Sequence, residues 1–243
     1  MKYVVGNWKM FQRLEDIKKF FIELNSFKQP LTCEAWIAPQ FIHIPLVKDL
    51  AFTLGKISVG AQNCATTKEG ALTGEVSAQA LADTGCSFVI IGHSERRKFF
   101  AEDNHILQEK LTVALAHGLK VIFCVGETGE EREQNKTFEV LSSQLSILKN
   151  TADLSSVIVA YEPVWAIGTG KNATPEQAQE VHSFIRKSFS VPLLYGGSVN
   201  PSNIGDLLVQ KDIDGVLVGG ASLKGKSFAE LCLIASQFQG DLL

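Results

Sequence analysis

Eight short runs of apolar, often β-branched residues recur along the chain, each followed by residues at helical spacing, one unit about every thirty residues. The runs are Tyr3 to Trp8, Cys33 to Ala38, Ile57 to Gln62, Phe88 to Ile91, Lys120 to Val125, Val157 to Tyr161, Val191 to Tyr195 and Gly215 to Val218. The helical stretches are Leu14 to Phe27, Phe41 to Leu54, Ser77 to Thr84, Asp103 to His117, Glu130 to Leu148, Thr174 to Phe189, Asn203 to Leu208 and Ser227 to Phe238. The runs are nearly continuous in apolar character, as parallel strands covered on both faces must be. The pattern predicts an α/β fold: eight parallel strands surrounded by helices, closed as a (β/α)8 barrel, with an open doubly wound sheet as the competing arrangement. A (β/α)8 barrel takes about 250 residues, and no linker or low-complexity stretch divides this chain, so residues 1–243 are expected to form one domain.

Charge and cysteines narrow the class. A formal charge of −3 without long like-charge runs calls for neither nucleic acid nor a membrane surface as partner. The N-terminal apolar run is too short for a secretory signal and no 18-residue apolar span occurs, so a soluble cytoplasmic protein is expected. The five cysteines lie far apart without a CxxC pair, which argues against a disulfide framework or a zinc site.

In a closed barrel the chemistry gathers at the C-terminal strand ends. Strand one ends in Asn7-Trp8-Lys9, strand four in Gly92-His93-Ser94-Glu95, and strand six in Glu162. Strands seven and eight end in Gly196-Gly197-Ser198 and Gly219-Gly220. Taken singly, each has an ordinary structural explanation: a solvated lysine, a satisfied histidine, a turn. Their joint placement around one mouth is what suggests a site.

The stretch after strand six carries most of the signal. Glu162 stands at the strand end, followed by the stiff apolar tip Pro163, Val164, Trp165, Ala166 and Ile167, then Gly168, Thr169, Gly170 and Lys171. Thr174-Pro175-Glu176 opens the next helix. This is the order expected of a general base under a closing lid. The glycine loops, with Gly168 and Ser198, suit a phosphate, because backbone N–H groups can approach an anion there. Neither a dinucleotide fingerprint nor a Walker loop fits: Gly168 lies too far past its strand, and Trp165 occupies the first Walker glycine position. A carboxylate base opposite an imidazole donor suits proton abstraction beside a carbonyl, with Lys9 adding positive charge. The backbone N–H groups opening a short helix at Ser94-Glu95 are expected to keep His93 neutral.

These residues resemble the triosephosphate isomerase family. The resemblance is carried by Gly6-Asn7-Trp8-Lys9-Met10, Gly74-Glu75, Gly92 to Arg97, Ala160 to Lys171, Tyr195 to Val199 and Leu217 to Leu223, in the family's order over nearly the whole chain. It implies a TIM barrel that interconverts dihydroxyacetone phosphate and D-glyceraldehyde 3-phosphate in glycolysis and gluconeogenesis, with no metal or organic cofactor. It implies Glu162 as the base and His93 as a neutral electrophile, the family's established pattern. By the same resemblance Lys9 and Asn7 bind and polarise the substrate, and Glu95 supports Lys9. Gly168, Ser198, Gly219 and Gly220 hold the phosphate, and Ile167 and Leu217 clamp Glu162, raising its basicity by desolvation. A homodimer is implied, formed through the loop Gln62 to Glu75 with Thr73 at its tip.

Three departures from the family pattern stand out. Phe11-Gln12 replaces a frequent Asn-Gly, with an expected effect on the dimer pocket and none on catalysis. Asn135 stands at a usual glycine, and Lys224-Gly225-Lys226 lacks a usual proline, which could shift the start of the last helix. Two other functions are compatible with the strand-end residues: a Schiff-base, aldolase-like lyase using Lys9, and a non-catalytic barrel that binds sugar phosphate.

Overall fold

The computed structural model describes residues 1–55, 57–167 and 173–238. Its strands are β1 (Tyr3–Asn7), β2 (Glu34–Ala38), β3 (Ile57–Val59), β4 (Phe88–Ile91), β5 (Lys120–Val125), β6 (Val157–Tyr161), β7 (Leu193–Tyr195) and β8 (Gly215–Val218). The helices are α1 (Leu14–Asn25), α2 (Ile44–Leu54), α3 (Ala78–Asp83), α4 (Ser94–Phe99), α5 (Asn104–Ala116), α6 (Gly129–Glu133), α7 (Thr137–Lys149), α8 (Pro175–Arg186), α9 (Ile204–Leu208) and α10 (Gly225–Gln237). All strand pairs are parallel, in the order β3-β2-β1-β8-β7-β6-β5-β4. The ring is nearly closed by a parallel bridge between Ala61 and Val89. There Ala61 N–H donates to Phe88 O and Ile90 N–H donates to Ala61 O. The (β/α)8 expectation holds, and the open sheet is excluded by that bridge.

Side chains along each strand alternate between two apolar regions, as the period of two requires. On β6, Val157, Val159 and Tyr161 pack outward under the helices, while Ile158 and Ala160 fill the barrel interior. On β5, Ile122 and Cys124 point inward; on β7, Leu194; on β8, Leu217; on β1, Val5. This parity matters for the site. Glu162, two residues beyond Ala160, continues the inward row of β6 to the mouth of the barrel.

Several boundaries differ from the sequence expectation. The helix expected from Glu130 to Leu148 is two helices, α6 and α7, separated at Asn135, which takes φ 57°. Asparagine tolerates that left-handed geometry, so the break is readable once the position is known. The last helix starts at Gly225, not Ser227. A Cβ there would lie 2.0 Å from Phe20 O, so the glycine allows α10 to pack against α1. The third strand ends at Val59, since Gly60 and Ala61 are needed for the closing contact with β4.

Candidate active site

Glu162 is 2% exposed, and its carboxylate is held by two donors. Ser94 N–H donates to Oε2 (2.9 Å), and His93 Nε2 lies 2.9 Å from Oε1. The other ring nitrogen, Nδ1, accepts from Glu95 N–H at 3.2 Å. That leaves Nε2 as the protonated nitrogen, pointing at the carboxylate. His93 is the residue before α4, so Ser94 and Glu95 offer N–H groups that would otherwise lack partners in the first turn.

The electrostatics of this pair differ from the sequence expectation. Burial opposes charge on His93, but the facing Glu162 carboxylate outweighs it and raises the His93 pKa above the ordinary value. Burial likewise favours the neutral form of Glu162, but His93 and the Ser94 N–H outweigh it and lower the Glu162 pKa. The expectation of a lowered His93 and a raised Glu162 considered burial and the helix start. It did not include the direct contact between the two side chains, which only the fold creates.

The neighbours of Glu162 explain two glycines. Strand register sets Val125 beside Tyr161 and Tyr161 beside Tyr195, so Gly126 and Gly196 flank Glu162. A Cβ on Gly126 would lie 1.7 Å from Glu162 O, and one on Gly196 would lie 2.9 Å from Glu162 Cγ. The Gly196-Gly197 pair, read from sequence as a phosphate loop, therefore also makes room for the carboxylate and its strand.

Opposite stand the strand-one residues. Asn7 is buried, and its Oδ1 accepts from Lys9 N–H (3.0 Å), which holds Lys9 at φ 51°. A non-glycine residue in that region carries strain of roughly 1 kcal/mol or more, tolerated where the surroundings over-determine it. Lys9 Nζ lies 2.5 Å from Glu95 Oε1. Lys9, Asn7, His93 and Glu162 line one cavity of about 370 Å³, together with Ile167 and Leu217. Ser198, Gly219 and Gly220 line the same cavity. The Ser198 hydroxyl donates to Ala166 O (2.7 Å), so here it ties the lid to the glycine side. Of the lid, Pro163 to Ile167 are described, with a 3-10 turn over Val164–Ala166. The assignments to Gly168, Thr169, Gly170 and Lys171 lie outside the described residues.

Strand five supplies a group the sequence reading passed over. Glu127 is fully buried, and its Oε1 accepts from Tyr161 OH (3.1 Å), Trp165 Nε1 (3.0 Å) and Arg132 (3.0 Å). Its carbonyl accepts from Val164 N–H (3.1 Å). The first half of the expected lid is thus bonded to the loop after β5. The signal was present: Gly126-Glu127 follows a strand end as the other site residues do.

The family model for triosephosphate isomerase matches residues 2–235. Proteins named triosephosphate isomerase from Shewanella denitrificans, Shewanella putrefaciens and Shewanella baltica are each 47% identical to this chain over 250 aligned positions, covering 96% of both sequences.

The chain belongs to the triosephosphate isomerase family.

Within this member of the family, the loop expected to reach a partner divides in two. Asn63, Cys64 and Ala65 are buried, and Gln62 Nε2 donates to Lys9 O (2.8 Å) and Ala38 O (2.9 Å). Only residues 67–75 project, with Leu72 and Thr73 exposed. Beside the active-site cavity lies a second cleft of about 530 Å³, with Met10, Ile42, Phe99 and Phe100 on its walls. Phe11 is not on that cleft; it lines the active-site cavity. Among the described residues no helix is long and apolar enough to cross a membrane, and no cluster of three or more His, Cys, Asp or Glu is placed to hold a metal.

Proposed function

We propose that the chain interconverts dihydroxyacetone phosphate and D-glyceraldehyde 3-phosphate by moving one proton between C1 and C2 through an enediolate. The observation that carries this is the pairing of a buried, ionised Glu162 with the Nε2–H of His93 in a cavity that Ser198, Gly219 and Gly220 also line. The carboxylate is the base. His93 Nε2–H and the Lys9 ammonium face the substrate oxygens and stabilise the negative charge that forms there. Asn7 holds Lys9 in place through the turn at φ 51°. Ser198 exchanges its bond to Ala166 for the phosphate.

Substrate binding changes the electrostatics in a useful direction. A substrate oxygen at Nε2 displaces Glu162, and the contacts that raise His93 and lower Glu162 are lost together. Burial, the largest influence on each group, then acts with less opposition. It makes Glu162 more basic and favours the neutral imidazole. Closure of the lid from Pro163 to Lys171, with Ile167 and Leu217 beside the carboxylate, strengthens the same effect and protects the enediolate from losing phosphate.

We infer also that one barrel domain spans residues 1–243, that it works in the cytoplasm, and that two copies assemble. In the dimer, residues 67–75 of one protomer, led by Leu72 and Thr73, enter the cleft beside its partner's active site. The exposed apolar walls of that cleft support this reading, since contiguous exposed apolar surface marks an interaction site. The Schiff-base alternative needs Lys9 as a free amine, whereas its Nζ is paired with Glu95.

The test is a coupled isomerase assay, without added metal, on the wild type and Glu162→Asp. Shortening the base by one methylene moves the carboxylate about 1 Å, which costs roughly 100-fold in kcat. An unchanged kcat would remove Glu162 from the role of base. No turnover by the wild type, alongside tight 2-phosphoglycolate binding, would favour the non-catalytic barrel.

A further inference from the structure

All five cysteines carry free thiols, and two of them meet where the end of α10 lies against the start of β2. Thr32 N–H donates to Ser236 Oγ (3.0 Å), and Thr32 Oγ1 donates to Ser236 O (3.4 Å). Ser236 Oγ donates in turn to Cys232 O (2.7 Å), one turn back along α10. These bonds set Cys33, the residue after Thr32, beside Cys232, and the Cys232 S–H donates to the Cys33 sulfur.

The two thiols differ in access and in acidity. Cys232 is fully buried, whereas Cys33 is half-buried and lines a cavity of about 550 Å³ with Met1, Leu31, Phe52 and Ser58. That cavity lies at the starts of β2 and β3, at the far end of the barrel from the strand-end residues His93 and Glu162. The thiolate is the reactive form of cysteine, and a hydrogen bond to the sulfur favours it. Cys33 is held below the ordinary thiol value, chiefly by the Cys232 S–H and in smaller part by Ser236, against its burial. Burial pushes Cys64 up to about 12, Cys86 up to about 11, and Cys124 and Cys232 well above the ordinary value.

We propose that Cys33 and Cys232 form a peroxide-reactive dithiol, with Cys33 as the entry thiol on the cavity and Cys232 as its buried resolving partner. The Cys33 thiolate attacks the outer oxygen of a hydroperoxide, the O–O bond breaks, and the departing oxygen takes up a proton, leaving Cys33 as a sulfenic acid. The Cys232 sulfur then attacks the Cys33 sulfur, the S–O bond breaks, and the Cys232 proton leaves with the hydroxyl as water. Two thiols and one hydroperoxide thus give one disulfide, one alcohol (water, for hydrogen peroxide) and one water. The disulfide ties α10 to the start of β2 and stops Cys33 short of the irreversible sulfinic acid.

The test treats the full-length reduced protein with equimolar hydrogen peroxide, then alkylates the remaining thiols in denaturant and maps the peptides by mass spectrometry. A linked Cys33–Cys232 peptide should form and disappear with dithiothreitol, while Cys64, Cys86 and Cys124 are recovered alkylated. In the native protein iodoacetamide should modify Cys33 at least about tenfold faster than Cys86, following the thiolate fraction. In Cys232→Ser the sulfenic acid on Cys33 should persist and be trapped by dimedone. Absence of the linked peptide, with Cys33 reduced or carried on to the sulfinic acid, overturns the pairing. Alkylation of Cys33 no faster than that of Cys86 overturns its role as the entry thiol. Both decisive outcomes are read on the wild type, so they stand whether or not the Cys232→Ser chain folds.

Discussion

The 2%-exposed Glu162 carboxylate keeps its charge because two N–H groups replace the water it loses. Its pKa is below the ordinary 4.5, and that of His93 is above the ordinary 6.5. For stability the signs are opposite. A lowered carboxylate contributes stability above its unfolded pKa, lost as pH falls through the folded value; a raised imidazole contributes below its unfolded pKa, lost as pH rises through the folded value. Both contributions are therefore fully present between about pH 4.5 and 6.5. Glu162→Gln removes the two largest contacts that raise His93 and leaves burial and Lys9, which lower it, against the smaller raising influence of Glu95. The His93 pKa should then move from above 6.5 to below it, followed by the pH dependence of its ring signals in NMR. A His93 that still titrates above 6.5 in the variant would mean that Glu162 is not its controlling partner. The residue types at this site were legible in the sequence at Asn7, Lys9, His93 and Glu162, because each follows an apolar strand. The contact between His93 and Glu162 was not, since 68 residues separate Ser94 from Glu162 along the chain.

Among the elements, β5, β6 and β7 act as one device. Their register places Gly126, Glu162 and Gly196 side by side, so the base is seated between two positions without side chains. Gly196→Ala puts a methyl group 2.9 Å from Glu162 Cγ in an otherwise ordinary backbone conformation. The expected result is a folded enzyme with kcat reduced by about tenfold to 100-fold, since a displacement near 1 Å is enough for that loss. Steady-state kinetics with far-UV circular dichroism would check it, and full activity would show that the base has room to spare. That Glu162 stands at a strand end could be read from Val157 to Tyr161 alone. The roles of Gly126 and Gly196 could not, because a glycine after a strand reads equally as a turn, and the register between strands decides what it faces.

For the whole molecule, the barrel and its proposed dimer interface meet on the same segments. The ring closes where Gly60 and Ala61 approach β4, and a Cβ on Gly60 would lie 2.4 Å from Phe88 O. The chain that follows becomes the buried Asn63 to Ala65 and then the projecting residues 67–75. Leu72→Asp introduces a charge at the exposed apolar position of that projection, where the proposed partner cleft offers Met10, Ile42, Phe99 and Phe100. Desolvating an unpaired carboxylate in such a cleft is unfavourable. The variant should run as a monomer in light scattering at concentrations where the wild type is dimeric, with lower activity. A monomeric wild type, or an unaffected dimer in the variant, would remove this loop from assembly.

The amino-acid order alone determined the eight strand-helix units, the strand ends expected to carry chemistry and the order of Glu162, apolar tip and glycines, because strand and helix periods are local properties. The tertiary structure decided what depends on distance across the barrel. It joined His93 to Glu162 and reversed the expected direction of both pKa shifts. It anchored Trp165 to Glu127, and it placed Met10 and Phe11 on two different cavities. These outcomes rest on which strands lie side by side and on how far a side chain reaches into a shared mouth, and neither quantity is written in the spacing of residues along the chain.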